Sequence, residues 1–172
     1  MLKILRKIAS IGIVTENAPR ADDALRVREA LSERVRAILG RALCIRHVDA
    51  GSCNGCELEI HAVNNPIYNL EGLGIRFVAS PRHADLLLVT GPVSRHMETA
   101  LRRTYDAMPD PKLVVAIGDC GCTGGIFGES YASCGRVGNV IPVDVVVPGC
   151  PPSPTRILEG ILAAISRSPA AP

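Results

Sequence analysis

Five short apolar runs, rich in β-branched residues, follow residue 42, and they constrain the possible fold more than any other feature of the chain. They read CIRHVD, IRFVAS, DLLLVTG, LVVAIG and DVVVPG, at residues 44–49, 75–80, 85–91, 113–118 and 144–149. Turn-forming residues bound each run, and this pattern predicts β-strands. Because the runs are nearly continuous in apolar residues, they are typical of a parallel sheet covered on both faces.

Segments of helical length separate most of these strands. Helices are predicted over 56–64, 96–107 and a shorter piece near 126–134, and a last helix over about 154–166. Strands that alternate with helices indicate an α/β fold. We predict a flavodoxin-like, doubly wound parallel sheet, in which sites form outside the carboxyl ends of the strands.

Composition limits the classes of function. The chain has 172 residues, of which 47% are hydrophobic, enough for one core. Its net charge is +2, it has no tryptophan, and only 3% of residues are aromatic, so single-stranded nucleic acid would find few stacking partners. Neither a signal peptide nor a membrane-spanning run is predicted. Seven cysteines in a reducing compartment are expected to be metal ligands or buried thiols.

Four of these cysteines stand directly after predicted strands. Cys53 and Cys56 follow the first strand, Cys120 follows the fourth and Cys150 follows the fifth. Because the carboxyl ends of parallel strands share one edge of a sheet, thiols that are nearly a hundred residues apart can meet there. Soft thiolate ligands gathered in this way favour an iron–sulfur cluster.

A thioredoxin-like redox site and a structural zinc site fit this cysteine pattern less well than a cluster does. Thioredoxin-like chemistry needs only the Cys53–Cys56 pair, and structural zinc favours paired C-x-x-C elements, of which this chain has one. A cluster tolerates scattered ligands because each iron needs one thiolate. Glycines beside the cysteines would let the backbone approach inorganic sulfide; they are Gly51, Gly55, Gly121 and Gly149.

The spacing leaves the third ligand open, since Cys122 competes with Cys120. Cys44 lies inside a predicted strand and is expected to be a small buried hydrophobe, whereas Cys134 is expected to be structural or to have no role. Arg82 follows the second strand, where a cation would stabilise a reduced cluster. Glu57 and Glu59 open a helix, where acidic residues are favourable, and either could instead relay protons.

The first forty residues have a different character. Leu2, Leu5, Ile8 and Ala9 fall on one side of a predicted helix over about 1–13, and Lys3, Arg6 and Lys7 fall on the other side. Such a helix could lie on an anionic membrane or on a partner protein, and the alternative is a frayed tail that happens to be amphipathic. A second helix is predicted over about 24–39, capped by Asp22 or Asp23 and closed by Gly40. Residues 1–47 carry ten Lys/Arg and five Asp/Glu, a surplus of five, whereas residues 48–172 carry nine and twelve, a deficit of three.

The motifs DAGSCNGCELEI, SPRHADLLLVTGPVSR, IGDCGCTGGIF and IPVDVVVPGCPPSP together resemble a known family. It is the small, cluster-bearing subunit of membrane-bound energy-converting NiFe hydrogenases, including formate hydrogenlyase, within the family of the complex I 20 kDa subunit. The resemblance covers roughly residues 44–165. It implies that Cys53, Cys56, Cys120 and Cys150 hold one 4Fe–4S cluster, with Glu59 and Arg82 at matching positions near it.

The resemblance also implies a role. The chain would be an electron-transfer subunit of an oxidoreductase, with no catalytic site of its own, between a ferredoxin-like subunit and a hydrogenase-type large subunit. Residues 1–41 would form an extension toward membrane-arm subunits, and 42–172 the iron–sulfur domain, peripheral on the cytoplasmic side of the cell membrane. Complex I subunits carry adjacent cysteines at the first element, whereas two residues separate them here. A complex-I-like quinone reductase is therefore the alternative.

Overall fold

The computed structural model describes residues 2–11 and 21–167. Six helices are present in this part of the chain: α1 (Leu2–Ile11), α2 (Ala21–Leu39), α3 (Gly55–Val63), α4 (Arg95–Asp106), α5 (Gly118–Thr123) and α6 (Pro154–Arg167). The strands are β1 (Leu43–Asp49), β2 (Ile75–Phe77), β3 (Leu86–Thr90), β4 (Leu113–Ile117) and β5 (Val145–Val147). None of the helices in these two ranges combines the length and apolar character that crossing a bilayer requires.

All five strands are parallel and lie in the order β2-β1-β3-β4-β5. This is the flavodoxin-like order, so the predicted fold class is confirmed. The register sets Asp49 beside Thr90 and Thr90 beside Ile117, so β1, β3 and β4 end at the same level. The loops that follow β1 and β4 therefore leave the sheet at the same edge, which brings the cysteine-bearing segments together.

Two hydrophobic clusters cover the two faces of the sheet. One joins alternate residues of β1, β3 and β4 to α2, α3 and α6, and includes Ile45, Leu88 and Leu158. The other joins the remaining sheet residues to α4, and includes Val89 and Leu101. Burial of β3 on both faces explains why its sequence LLLVT is almost entirely apolar.

The second helix belongs to this core through Leu31 and Val35, which are almost fully buried. It begins at Ala21, earlier than predicted, so Asp22 and Asp23 lie in its first turn and do not precede it. Gly40, at φ +59°, closes the helix as predicted, and its amide donates to the Arg36 carbonyl. The predicted boundary at residue 41 stays a prediction about domain organisation.

The predicted helix near 126–134 is wrong. The helix after β4 is α5, which starts at Gly118 and ends at Thr123, and residues 126–134 form a loop with an antiparallel bridge between Glu129 and Cys134. Positive φ angles at Gly124, Gly125 and Gly128 explain the difference, because a right-handed helix cannot pass through left-handed backbone. Cys120 therefore lies in a short helix, not in a turn.

Candidate iron–sulfur site

Four cysteines from the three segments that follow β1, β4 and β5 lie at the carboxyl edge of the sheet. Cys53 lies in the loop after β1, Cys56 in the first turn of α3, Cys120 in α5 and Cys150 in the loop after β5. Burial raises the pKa of the Cys56 thiol to about 12, with further contributions from Glu57 and from the thiols of Cys120, Cys53 and Cys150. Burial also raises the pKa of Cys120, with Cys150 and Cys53 next in importance. The three segments are also close in space: a Cβ at Gly55 would lie 3.5 Å from Cys53 Sγ and 4.0 Å from Pro151, and a Cβ at Gly118 would lie 2.5 Å from Cys56 Sγ and 3.4 Å from the Gly149 carbonyl oxygen.

Cys122 points elsewhere. Its Sγ donates to the Ala116 carbonyl, at 3.6 Å, on the sheet side of α5. Burial raises its pKa to about 11, although a hydrogen bond with the Val147 backbone opposes this effect. The structure therefore separates two cysteines that the sequence spacing could not rank: Cys120 joins the group of four, and Cys122 packs against β4.

Cys44 and Cys134 are the two buried cysteines. Cys44 is 3% exposed in β1, and Arg76 Nε donates to its Sγ at 3.3 Å. Cys134 is 6% exposed and its Sγ donates to Glu98 Oε2 at 3.3 Å. Each thiol thus contributes to packing, as the sequence predicted. All seven cysteines are free thiols.

Glycine creates the space that the thiols occupy. A Cβ at Gly118 would lie 2.5 Å from Cys56 Sγ, and a Cβ at Gly125 would lie 2.8 Å from Cys120 Sγ. Both distances are shorter than nonbonded atoms tolerate, and Gly118 also has φ +81°. Sequence reasoning did not select either residue, because neither stands beside a cysteine in a way that reveals which sulfur it faces.

The four predicted glycines have different surroundings. Gly55 begins α3, and a Cβ there would be 3.5 Å from Cys53 Sγ. Gly51 and Gly149 have φ +127° and +139° in the loops before Cys53 and Cys150. Gly121 faces the sheet, since a Cβ there would lie nearest to atoms of β3, of β4 and of the short 3-10 turn Val137–Asn139. Contact of these four with a cluster stays a prediction.

Two loops are tied by Asp119. Its amide donates to the Gly149 carbonyl at 2.9 Å, and its Oδ1 accepts from the Gly149 amide at 2.8 Å. The loop before Cys53 is held by Asp49, whose Oδ1 accepts from the amides of Gly51 and Ser52, each at 2.8 Å. Partial burial would raise the pKa of Asp49, but these hydrogen bonds outweigh it and hold the pKa below its ordinary value. The loops are therefore positioned by hydrogen bonds within the protein.

Glu57, which sequence reasoning did not favour over Glu59, is the buried acidic residue. It is 7% exposed, and neither of its carboxylate oxygens has a hydrogen-bond partner among the residues that the structure describes. His47 Nε2 lies 3.9 Å from Glu57 Oε1, and both residues line a cavity of about 450 Å³ with Arg46 and His61. The spacing of Glu57, Ile60 and Val63 along α3 marks the buried face, and this signal could have identified Glu57.

Glu59 and Arg82, the two polar residues predicted to lie near a cluster, are more exposed than Glu57. Glu59 is half-buried on α3, three residues after Cys56. Arg82 is exposed in the turn Pro81–His83, between β2 and β3. Their roles beside a cluster stay predictions.

The donor set suits a cluster better than a single ion. Within residues 2–11 and 21–167, no three His, Cys, Asp or Glu side chains are grouped closely enough to hold one metal ion. A cluster makes a different demand, because each iron takes its own thiolate. Four neighbouring thiols, with glycine beside the sulfurs of Cys53, Cys56 and Cys120, have the chemistry to ligate an iron–sulfur group.

Residues 53–164 match the family model described as NADH ubiquinone oxidoreductase, 20 Kd subunit. The chain belongs to this family.

The chain is similar both to hydrogenase-type subunits and to an NADH-quinone oxidoreductase subunit. The Pyrococcus furiosus protein named "Probable membrane-bound hydrogenase subunit mbhJ" is 45% identical over 143 residues, covering 81% of this chain and 86% of that protein. Formate hydrogenlyase subunit 7 of Escherichia coli is 46% identical over 125 residues, and the match covers 73% of this chain and only 49% of that protein. An NADH-quinone oxidoreductase subunit of Desulfovibrio desulfuricans is 46% identical over 124 residues, covering 72% of this chain and 66% of that protein.

One solved structure extends the similarity to the fold. A chain of the membrane-bound sulfane sulfur reductase, described as an archaeal respiratory membrane complex, superposes with a TM-score of 0.65 at 34% identity, covering 80% of this chain and 75% of that one. The chain is thus an oxidoreductase-complex subunit of the hydrogenase and complex I type, and its relatives are parts of membrane-bound complexes.

Proposed function

We propose that this chain is an electron-transfer subunit carrying one 4Fe–4S cluster in a membrane-bound, energy-converting hydrogenase of the formate hydrogenlyase type. Electrons would pass between a ferredoxin-like subunit on one side and a NiFe-type large subunit on the other. The observation that supports this most is the convergence of four thiols from three loops on one sheet edge. The hydrogenase relatives support the assignment to a complex.

Cys53, Cys56, Cys120 and Cys150 would be the ligands. A bound 4Fe–4S cluster supplies a redox centre that accepts and releases electrons. The raised pKa values of Cys56 and Cys120 mean that negative charge on these sulfurs is costly without a compensating cation. These cysteines would bind iron as thiolates, with the positive charge of the metal compensating that cost.

The surrounding residues would support the ligands in distinct ways. Gly118 and Gly125 leave room beside two of the sulfurs, and the Asp119–Gly149 hydrogen bonds fix the separation of the α5 and β5 loops. We further propose that the amides near the four predicted glycines lower the negative charge felt at the sulfides. Those glycines are Gly51, Gly55, Gly121 and Gly149. Arg82 and Glu59 would influence the potential from a greater distance.

The location of the site suits transfer between proteins. Cys53 and Cys150 are exposed, whereas Cys56 and Cys120 are half-buried, so the site lies at the surface. Partner subunits can therefore approach the ligand loops closely from outside. We place the chain peripherally, on the cytoplasmic side of the membrane, with residues 1–41 toward the membrane arm.

A quinone-reducing, complex-I-like role is the second candidate. It is supported by the family description and by the Desulfovibrio relative. The arrangement of the first ligand pair favours the hydrogenase role, since Asn54 and Gly55 separate Cys53 from Cys56.

Measurements on the intact complex distinguish the hydrogenase role from the quinone-reducing role. The complex should be purified anaerobically through a tag on this chain, then analysed for nickel and assayed for hydrogen evolution and for quinone reduction. Nickel with hydrogen evolution that is lost in Cys150→Ser supports the proposal. Quinone reduction without nickel would overturn the hydrogenase assignment.

A further inference from the structure

The amino-terminal helix α1 exposes both apolar and cationic side chains. Leu2 is 81% exposed and Leu5 is 60% exposed. Lys3, Arg6 and Lys7 are also exposed. At 3.6 residues per turn, Leu2, Leu5 and Ala9 fall within an arc of about 60°, and the three cations fall within an adjoining arc of about 100°. The helix therefore has one apolar side and one basic side.

A short amphipathic helix is stabilised when its apolar side is buried against another surface. The described part of α1 has ten residues, fewer than the 12–15 or so at which isolated helices become stable in water. Its helical state must therefore gain free energy from burial of the leucines. The exposed fractions of Leu2 and Leu5 show that the other described residues do not supply this burial.

The charge pattern identifies the chemistry of the missing surface. The sequence of α1 contains three cations and no acidic residue. By contrast, α2 mixes signs on its exposed positions, where Arg26, Glu29 and Glu33 all occur. Mixed signs are typical of a solvated helix face. Cations of a single sign beside a leucine stripe are typical of helices that lie in the plane of an anionic lipid surface.

We propose that α1 binds the headgroup region of an anionic lipid membrane, with Leu2 and Leu5 inserted and Lys3, Arg6 and Lys7 at the lipid phosphates. The interaction tethers the chain to the membrane surface independently of protein contacts in the membrane arm. It does not rest on the proposed cluster, because the four thiols lie more than forty positions away along the chain and none of them belongs to α1. Failure of either proposal therefore leaves the other intact.

Vesicle binding of the full chain tests this directly. The chain, tagged only at its carboxyl end, is floated with phosphatidylcholine vesicles and with vesicles containing about one-third phosphatidylglycerol. We expect partitioning on the order of 100-fold stronger to the anionic vesicles, which corresponds to about 1 kcal/mol for each of the three cations. Salt at ~0.5 M should remove most of this preference, because exposed charges are then screened.

Matched variants separate specific binding by α1 from general charge. Arg6→Glu/Lys7→Glu should abolish the preference for anionic vesicles. Arg103→Glu/Arg156→Glu changes the net charge equally at two exposed positions on α4 and α6, and should leave binding unchanged. Leu2→Ser/Leu5→Ser should weaken binding at both lipid compositions. Far-ultraviolet circular dichroism of each variant checks that the domain remains folded.

Tryptophan fluorescence reports the depth of insertion. Because the chain has no tryptophan, Leu5→Trp introduces a single fluorophore on the apolar side of α1. Its emission should shift to the blue on addition of anionic vesicles and not on addition of neutral ones. Equal binding to both vesicle types, equal loss in the Arg103/Arg156 control, or no shift of the tryptophan emission would overturn the proposal. Retention on detergent-solubilised membrane-arm subunits without any vesicle binding would instead assign α1 to a protein partner.

Discussion

Asp119 and Gly149 exchange two hydrogen bonds across the gap between the α5 and β5 loops, at 2.9 Å and 2.8 Å. The residue that follows each of them, Cys120 or Cys150, belongs to the group of four thiols. The pair therefore fixes the distance between two proposed ligands that are 30 positions apart in the chain.

Asp119→Ala should loosen the Cys150 loop. A hydrogen bond to a charged group contributes about 1.5–3 kcal/mol, so we expect stability to fall by that order and the iron content after reconstitution to fall with it. Asp119→Asn retains an oxygen acceptor and should keep most of the iron. Denaturant unfolding and iron analysis measure the two effects. Equal iron retention by the Ala and Asn variants would show that the exchange does not position the loop.

Replacement of the two cysteines of α5 should have opposite effects on cluster binding. Cys120→Ser should lose the reduced cluster signal in low-temperature electron paramagnetic resonance, because one of the four thiolates is missing. Cys122→Ser should keep the signal, since Cys122 Sγ contacts the Ala116 carbonyl on the other side of the helix. The reverse pattern would mean that Cys122 is the ligand.

Gly118→Ala tests the space beside Cys56. The added Cβ would meet Sγ at 2.5 Å, so we expect poor cluster incorporation and a loss of stability of a few kcal/mol. Gly128→Ala is the matched control, because Gly128 also has positive φ but a Cβ there would meet nothing within 4 Å. The control should show only the conformational cost, of the order of 1 kcal/mol. Similar iron content in both variants would contradict the steric explanation.

Much of this site followed from the sequence, because strand ends are recognisable and parallel strands share an edge. The apolar runs located β1, β3, β4 and β5 to within a residue or two, and with them all three cysteine-bearing segments. Spacing could not rank Cys120 over Cys122, since the choice depends on which side of a six-residue helix faces the sheet. That rotation is determined by the packing of α5 against β4, which spacing along the chain does not reveal.

Other features lay beyond sequence reasoning for a related reason. Gly118 is required because a side chain there would collide with Cys56 Sγ, which is distant along the chain. Gly125 is required because a side chain there would collide with Cys120 Sγ across a tight turn. Glu57 is an exception, because the spacing of buried positions along α3 carries a signal for its burial. The helix predicted near 126–134 is absent because glycines with positive φ prevent a helix there, although the segment is long enough to form one.

His47 should make stability depend on pH. Burial lowers its pKa below the ordinary value of 6.5, although Glu57 and Asp49 oppose the effect. Below pH 6.5 the unfolded chain therefore binds a proton that the folded chain does not, so stability falls as pH decreases through this range. His47→Gln should flatten the change in unfolding free energy between about pH 7 and 5, compared with His83→Gln at an exposed position. An unchanged slope would contradict this account.

Asp85 should be more important for stability than its partner Arg41. Asp85 accepts two hydrogen bonds from the exposed Arg41 guanidinium, at 2.6 and 3.0 Å, and one from the amide of Cys44 at 2.9 Å. Arg41→Ala should cost at most about 1 kcal/mol, as for other exposed ion pairs. Asp85→Ala should cost about 1–3 kcal/mol more, because it leaves the Cys44 amide without its acceptor. Equal losses in urea unfolding would contradict this difference.

Iron and acid-labile sulfide analysis of the anaerobically purified chain, combined with low-temperature electron paramagnetic resonance, tests the central claim most directly. We predict about four irons and four sulfides per chain and a rhombic signal on reduction. Stoichiometric zinc, or iron that survives the simultaneous replacement of Cys53, Cys56 and Cys150 by serine, would contradict a cluster held by these loops.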